Sequence, residues 1–133
     1  MSTPHSSVPQ LIRVSAVEEG VRLSVRFELS KPMPTHGSYL LGIVAASEDH
    51  SHQRRLSIEY VNGELMDFST FNHEQVDQEH HDRSAVTVDG TVVTADFPAS
   101  SIGGLGRGRL ITAYSHVDGE RLQSGCPVST TGF

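Results

Sequence analysis

The chain contains no tryptophan and only one cysteine, with three tyrosines and five phenylalanines among its 133 residues. A single thiol, Cys126, excludes an internal disulfide framework and the tetrathiolate of a structural zinc site. The absence of tryptophan removes the strongest clue to a sugar platform, which presents flat exposed rings. Basic residues are scarce as well: ten Lys and Arg against sixteen Asp and Glu leave a net charge of −6. That balance argues against a nucleic-acid binder, whose footprint is a basic patch, and against adsorption to anionic lipid. No apolar run reaches the length of a membrane-spanning helix, so membrane insertion is not expected. The opening Met-Ser-Thr-Pro-His lacks the features of a secretory leader. The protein is expected in the cytoplasm if this is its native start, and outside the cell if a leader precedes it.

What the chain does contain is alternation. Leu, Ile, Val and Phe make up about a quarter of the residues, enough for one buried core in a chain of this length. Val21, Leu23, Val25, Phe27 and Leu29 alternate with polar residues, the pattern of a strand with one buried face. A turn on Glu19-Gly20 would pair this strand with residues 11–17, setting Ile12 against Phe27, Val14 against Val25 and Ala16 against Leu23. Residues 30–37 carry two prolines and a glycine and read as a crossing loop. The nearly continuous apolar run 38–46 reads as a central strand, with Gly42 marking a bulge or the close approach of a neighbour.

Three more hairpins follow. A three-residue loop over Val61, Asn62 and Gly63 pairs Ile58 with Met66 and Leu56 with Phe68, which keeps the faces matched. A turn on Asp89-Gly90 pairs Val86 with Val93, and another on Asp118-Gly119 joins residues 109–117 to 120–125. Pro98 ends a strand, and the glycine-rich stretch 99–108 begins with a short helical turn at 100–102. No segment has a helical repeat or βαβ spacing. The fold class is therefore all-β: a two-sheet antiparallel β-sandwich of about eight short strands, immunoglobulin-like or related in topology, with a small barrel as runner-up. The domain is assigned to residues 11–128, with 1–10 a loose arm and 129–133 a loose tail.

Histidine is the unusual component, eight in all, of which five lie in two polar segments. Imidazole and carboxylate together suit zinc or copper, so His50, His52, His80, His81 and Asp82 form the candidate ligand set, with Glu79 as the alternative carboxylate. The segments 47–54 and 72–84 flank one hairpin and are expected near one end of the sandwich. The same histidines among Glu74, Asp77, Glu79 and Asp82 also suit a pH-responsive surface. No EF-hand spacing, no Gly-x-Ser-x-Gly elbow and no Walker lysine is present, and Cys126 beside Pro127 reads as a small apolar side chain. Tyr114 and His116 share the outward phase of their strand and, with His73, make the candidate binding surface.

These readings point to a non-catalytic recognition or accessory domain, binding a protein or small-molecule ligand through edge strands or end loops. No cofactor is implied unless the histidine loops hold copper or zinc, in which case redox or hydrolytic chemistry becomes the alternative. Apolar residues in both phases of 38–46 and 109–117 ask for a second covered face, so a homodimer is a further expectation.

Overall fold

Residues 9–73, 75–103, 105–106 and 109–131 are described by a computed structural model of the chain. Most of the expected N-terminal arm, the end of the tail, Glu74, and Gly104, Arg107 and Gly108 of the glycine-rich stretch lie outside the described residues.

The alternating segments become strands β1 Leu11–Glu19, β2 Arg22–Leu29, β3 Ser38–Ala46, β4 Gln53–Val61 and β5 Glu64–Asn72. They continue as β6 Asp77–His80, β7 Val86–Asp89, β8 Val92–Pro98, β9 Leu110–Val117, β10 Glu120–Pro127 and β11 Ser129–Thr131. One sheet has the order β11-β1-β2-β8-β7 and the other β10-β9-β3-β4-β5-β6. All neighbours are antiparallel except β1 and β11, which run parallel. Each sheet ends in two edge strands, so the architecture is a two-layer sandwich and the barrel alternative is excluded.

The inward phase fills the space between the layers. Leu23, Val25 and Phe27 of β2 and Val93, Ala95 and Phe97 of β8 face Leu41, Ile43, Leu56, Ile58 and Phe68 of the larger sheet, and all are essentially inaccessible to water. Burying one such large side chain stabilises the fold by about 1.5–3 kcal/mol relative to leaving it exposed. β3 lies between β4 and β9; its inward Leu41, Ile43 and Ala45 are buried in the core, while the outward Leu40 and Val44 are half-buried.

The hairpins keep the expected faces but shift their registers. β1 and β2 pair Val14 with Phe27 and Ala16 with Val25, two residues away from the expected alignment. The turn falls on Gly20-Val21, with Gly20 at φ +63° and Val21 fully out in solvent, the arrangement of a II′ turn. Ile12, expected in the core, sits in a bulge between Leu11 and Arg13 and is exposed, while Leu11 takes the buried place. β7 and β8 shift the same way: the turn is Gly90-Thr91, and Val86 pairs with Ala95. Between β4 and β5 a two-residue turn on Asn62-Gly63 closes the hairpin, both residues at positive φ. A bulge beside Met66 then restores the matched faces, setting Ile58 against Phe68. The Asp118-Gly119 turn and the short 3-10 turn Ala99–Ile102 stand where expected.

Two strands had no sequence signal. β6 is polar and exposed throughout and adds to the edge of β5. β11, inside the segment expected as tail, crosses to the smaller sheet after Pro127. At this crossing the Gln123 side chain joins the layers. Its Oε1 accepts from Leu11 N at 2.7 Å and its Nε2 donates to Leu11 O at 3.2 Å, so a side-chain amide stands in for a strand neighbour.

Candidate functional site

Pairing register sets the outer face of the larger sheet as rows of side chains. One row contains Tyr114, Gly42, Ser57 and Ser69, and the row beside it contains Thr112, Val44, Arg55 and Phe71. Gly42 leaves a depression in the middle of the sheet, and Tyr114 lies across it. A Cβ at Gly42 would come within 2.6 Å of both Cζ and the hydroxyl of Tyr114. The expected close approach at Gly42 is therefore met, and the neighbour is this ring.

Tyr114 was expected exposed, yet only 6% of it is accessible although it faces outward. The correction has a physical cause: glycine lets the ring sink onto β3, and the Arg55 guanidinium covers it at 5.3 Å from the ring centroid. Burial raises the Tyr114 pKa to about 12, against the smaller opposing influences of Arg55 and the Ser57 hydroxyl. The Tyr114 hydroxyl is buried, and among the described residues no group meets it at good hydrogen-bond geometry, Ser57 lying alongside.

His116, two residues on, is half-buried with its ring 5.3 Å from that of Tyr114. Arg121 of β10 pairs opposite it. Burial first, then the charges of Arg55 and Arg121, hold the His116 pKa below its ordinary value. β10 carries two register breaks here, and Gly125, at φ +63°, lies within the second. The displaced strand walls a cavity of about 300 Å3 between Arg55, Tyr114, His116 and Arg121. Bulges of this kind re-aim side chains beside binding sites.

The remaining candidates do not join this site. His73 directly follows β5, edge-on to Phe71 at 4.8 Å, but three strands away from β9. His50 occupies the exposed loop tip after β3 at φ +61°. His52 lines an end-loop cavity of about 580 Å3 with Glu48 and Asp49. The Asp49 carboxylate there is turned onto its own loop, accepting from Ser47 Oγ at 2.8 Å and from Ser51 N and Oγ at 3.0 and 2.7 Å, which holds its pKa far below the usual range.

His80 and His81 point to opposite faces. His80 Nδ1 lies 2.9 Å from Asp67 Oδ1 on the outer face. His81 turns inward, its Nε2 2.8 Å from Thr70 Oγ1 and its ring edge-on to Phe68 and Phe97. Burial keeps its pKa low. Asp82 caps the following 3-10 turn by accepting from Ser84 N. Strand β6 is what separates the expected ligand set. The two segments do meet, Arg54 opposite Asn72 and His73 N–H donating to Gln53 O, but β6 runs back along β5 and delivers His80 opposite Ser69. That is about 10 Å of strand away from the shared end. Among the described residues no group of three His, Cys, Asp or Glu converges on a point.

Sequence reading found Tyr114, His116 and the oddity at Gly42, and missed Arg55 and Arg121. Their signal was only phase: Arg55 alternates with inward Leu56 and Ile58, so it faces outward. Joining it to Tyr114 required knowing that β4 and β9 flank β3.

The chain matches no protein-family model, no curated protein and no solved structure.

Proposed function

We propose that this protein is a non-catalytic recognition domain whose binding surface is the outer face of the larger sheet, centred on Tyr114, Arg55 and His116. The strand order supports an immunoglobulin-like reading of the variable type. β1-β2-β8-β7 corresponds to A-B-E-D and β10-β9-β3-β4-β5 to G-F-C-C′-C″, with β6 and β11 as additions. One observation carries the choice of face: an outward tyrosine seated in a glycine depression, roofed by arginine and beside an open cavity. Sheet faces in solvent ordinarily carry scattered polar side chains, whereas ligand sites gather aromatic walls and a few placed polar groups. The proposed surface spans the central strands β3, β4 and β9 and takes in the edge strand β10. The metal-dependent alternative has no supporting observation among the described residues, where His80, His81 and Asp82 are each turned to a separate neighbour and no three ligand groups converge.

The test is a nuclear magnetic resonance screen of the 15N-labelled protein against uncharged, anionic and cationic small fragments. Amide shifts clustering on residues 40–44, 55–57 and 112–125 support this face. Shifts clustering on residues 47–52 and 105–106 would transfer the role to the end-loop cavity.

A further inference from the structure

Resting on that reading of the face, we propose that the cavity between β9 and β10 takes a small oxyanion, a carboxylate or a phosphate monoester, held between Arg55, Arg121 and protonated His116. The chain as a whole is acidic, yet three cationic or ionisable nitrogen groups from three strands gather here: Arg55 from β4, His116 from β9 and Arg121 from β10. Among the described residues no carboxylate lies within ion-pair distance of Arg55 or Arg121. By contrast Arg13, Arg22, Arg26 and Arg109 each have one. On this face Glu59 and Asp67 share the row of His116 and Leu40 but stand two and three strands away from β9, and Asp67 is held by His80 and by Ser69 Oγ at 3.0 Å.

Like charges so placed repel one another, and an anion between them removes that cost. A guanidinium lying over an aromatic ring keeps its in-plane N–H groups for a second partner, and their fork matches the two oxygens of a carboxylate or phosphate. The cavity volume lies at the lower end of the range for small-molecule sites, which limits the ligand to a compact one. Val44 and the Tyr114 ring supply an apolar wall for its body.

An anion bound here favours the charged imidazole, so affinity is linked to His116 protonation. Binding is tighter below the His116 pKa of the complex and weakens as pH rises through it.

The experiment is titration of the full chain with acetate, inorganic phosphate and uncharged acetamide at low salt, followed by 15N amide shifts and calorimetry. Saturable binding of acetate or phosphate, with acetamide inert, is the expected result. Which anion binds more tightly identifies the ligand class. Arg121→Gln should weaken binding by about tenfold or more, the loss of one charge-assisted hydrogen bond. Arg55→Gln should do the same, and if it disturbs folding by uncovering Tyr114, the exposed Arg121→Gln variant carries the test alone. Acetate, which is ionised at both values, should bind more tightly at about pH 5.5 than at about pH 7.5, and His116→Gln should abolish that difference. Equal binding of acetamide and acetate would overturn the oxyanion while leaving the recognition face intact. No saturable binding of either anion, or binding indifferent to Arg121→Gln, would also overturn it.

Discussion

Gly42 and Tyr114 act as one unit: a missing Cβ admits a ring that Arg55 then covers. Gly42→Ala should displace the ring and lower stability by about 1–3 kcal/mol, the usual cost of overfilling a packed site. All three tyrosines are shifted upward by burial, Tyr60 and Tyr114 to about 12 and Tyr39 further, its hydroxyl donating to Pro9 O. Ultraviolet titration of the folded protein should therefore show no tyrosinate near the ordinary value of 10. In Gly42→Ala one tyrosine should ionise close to it, and an unchanged titration would mean that the ring keeps its seat.

His81 provides a second residue-level prediction. Its folded pKa lies below the ordinary histidine value of about 6.5, chiefly because its ring is desolvated against Phe68 and Phe97, with Glu79 and Asp67 opposing and His80 adding to the lowering. Protonation is thus disfavoured in the folded state. Stability should be full above about pH 6.5 and should fall as pH drops from there toward the lower folded value. Thermal midpoints measured from pH 7 to 5 should decline, and His81→Gln should flatten part of that slope. His116 contributes in the same direction. The exposed aspartates Asp49 and Asp82, with lowered pKa values, act only at more acid pH.

At the scale of elements, the strands were legible because period two records which face each residue joins. Registers were not, because a slip of two residues leaves every face unchanged. Turn chemistry decided between the alternatives. A glycine at the first central position, Gly20 or Gly90, makes a II′ turn with an ordinary residue after it. A turn on Asp89-Gly90 would place Asp89 at positive φ instead. Gly90→Ala should accordingly cost about 1–2 kcal/mol, the penalty for a Cβ in the left-handed region, while the exposed Asp89→Ala should be nearly neutral. Denaturant midpoints of the two variants check this, and an equal or larger loss at Asp89 would contradict the observed turn. β6 escaped sequence reading for a related reason. An edge strand exposed on both faces carries no alternation, only backbone pairing.

At the scale of the molecule, the two sheets are held by the core and, along one margin, by Gln123. Gln123→Ala would leave the Leu11 N–H and C=O without this partner in a part-buried position. The expected loss is about 1–3 kcal/mol, with faster hydrogen exchange of the Leu11 amide than of β2 amides. A change confined to the β9–β10 hairpin would indicate that the bridge does not tie the layers.

The sequence by itself determined the all-β two-sheet class, the alternating core of β2, β4 and β8, the apolar run of β3, the neighbourhood of each chain reversal to within a residue, and the outward phase of Tyr114 and His116. Each of these is local, recorded in neighbouring residues through steric preference and side-chain direction. Only the tertiary structure decided which strands lie side by side. That choice put Arg55 over Tyr114 and Arg121 beside His116, and it carried His80 along β6 away from the loop of His50 and His52 that sequence had joined to it. Strand neighbours distant in sequence are selected by the summed packing of whole faces, and no single stretch of chain encodes that sum.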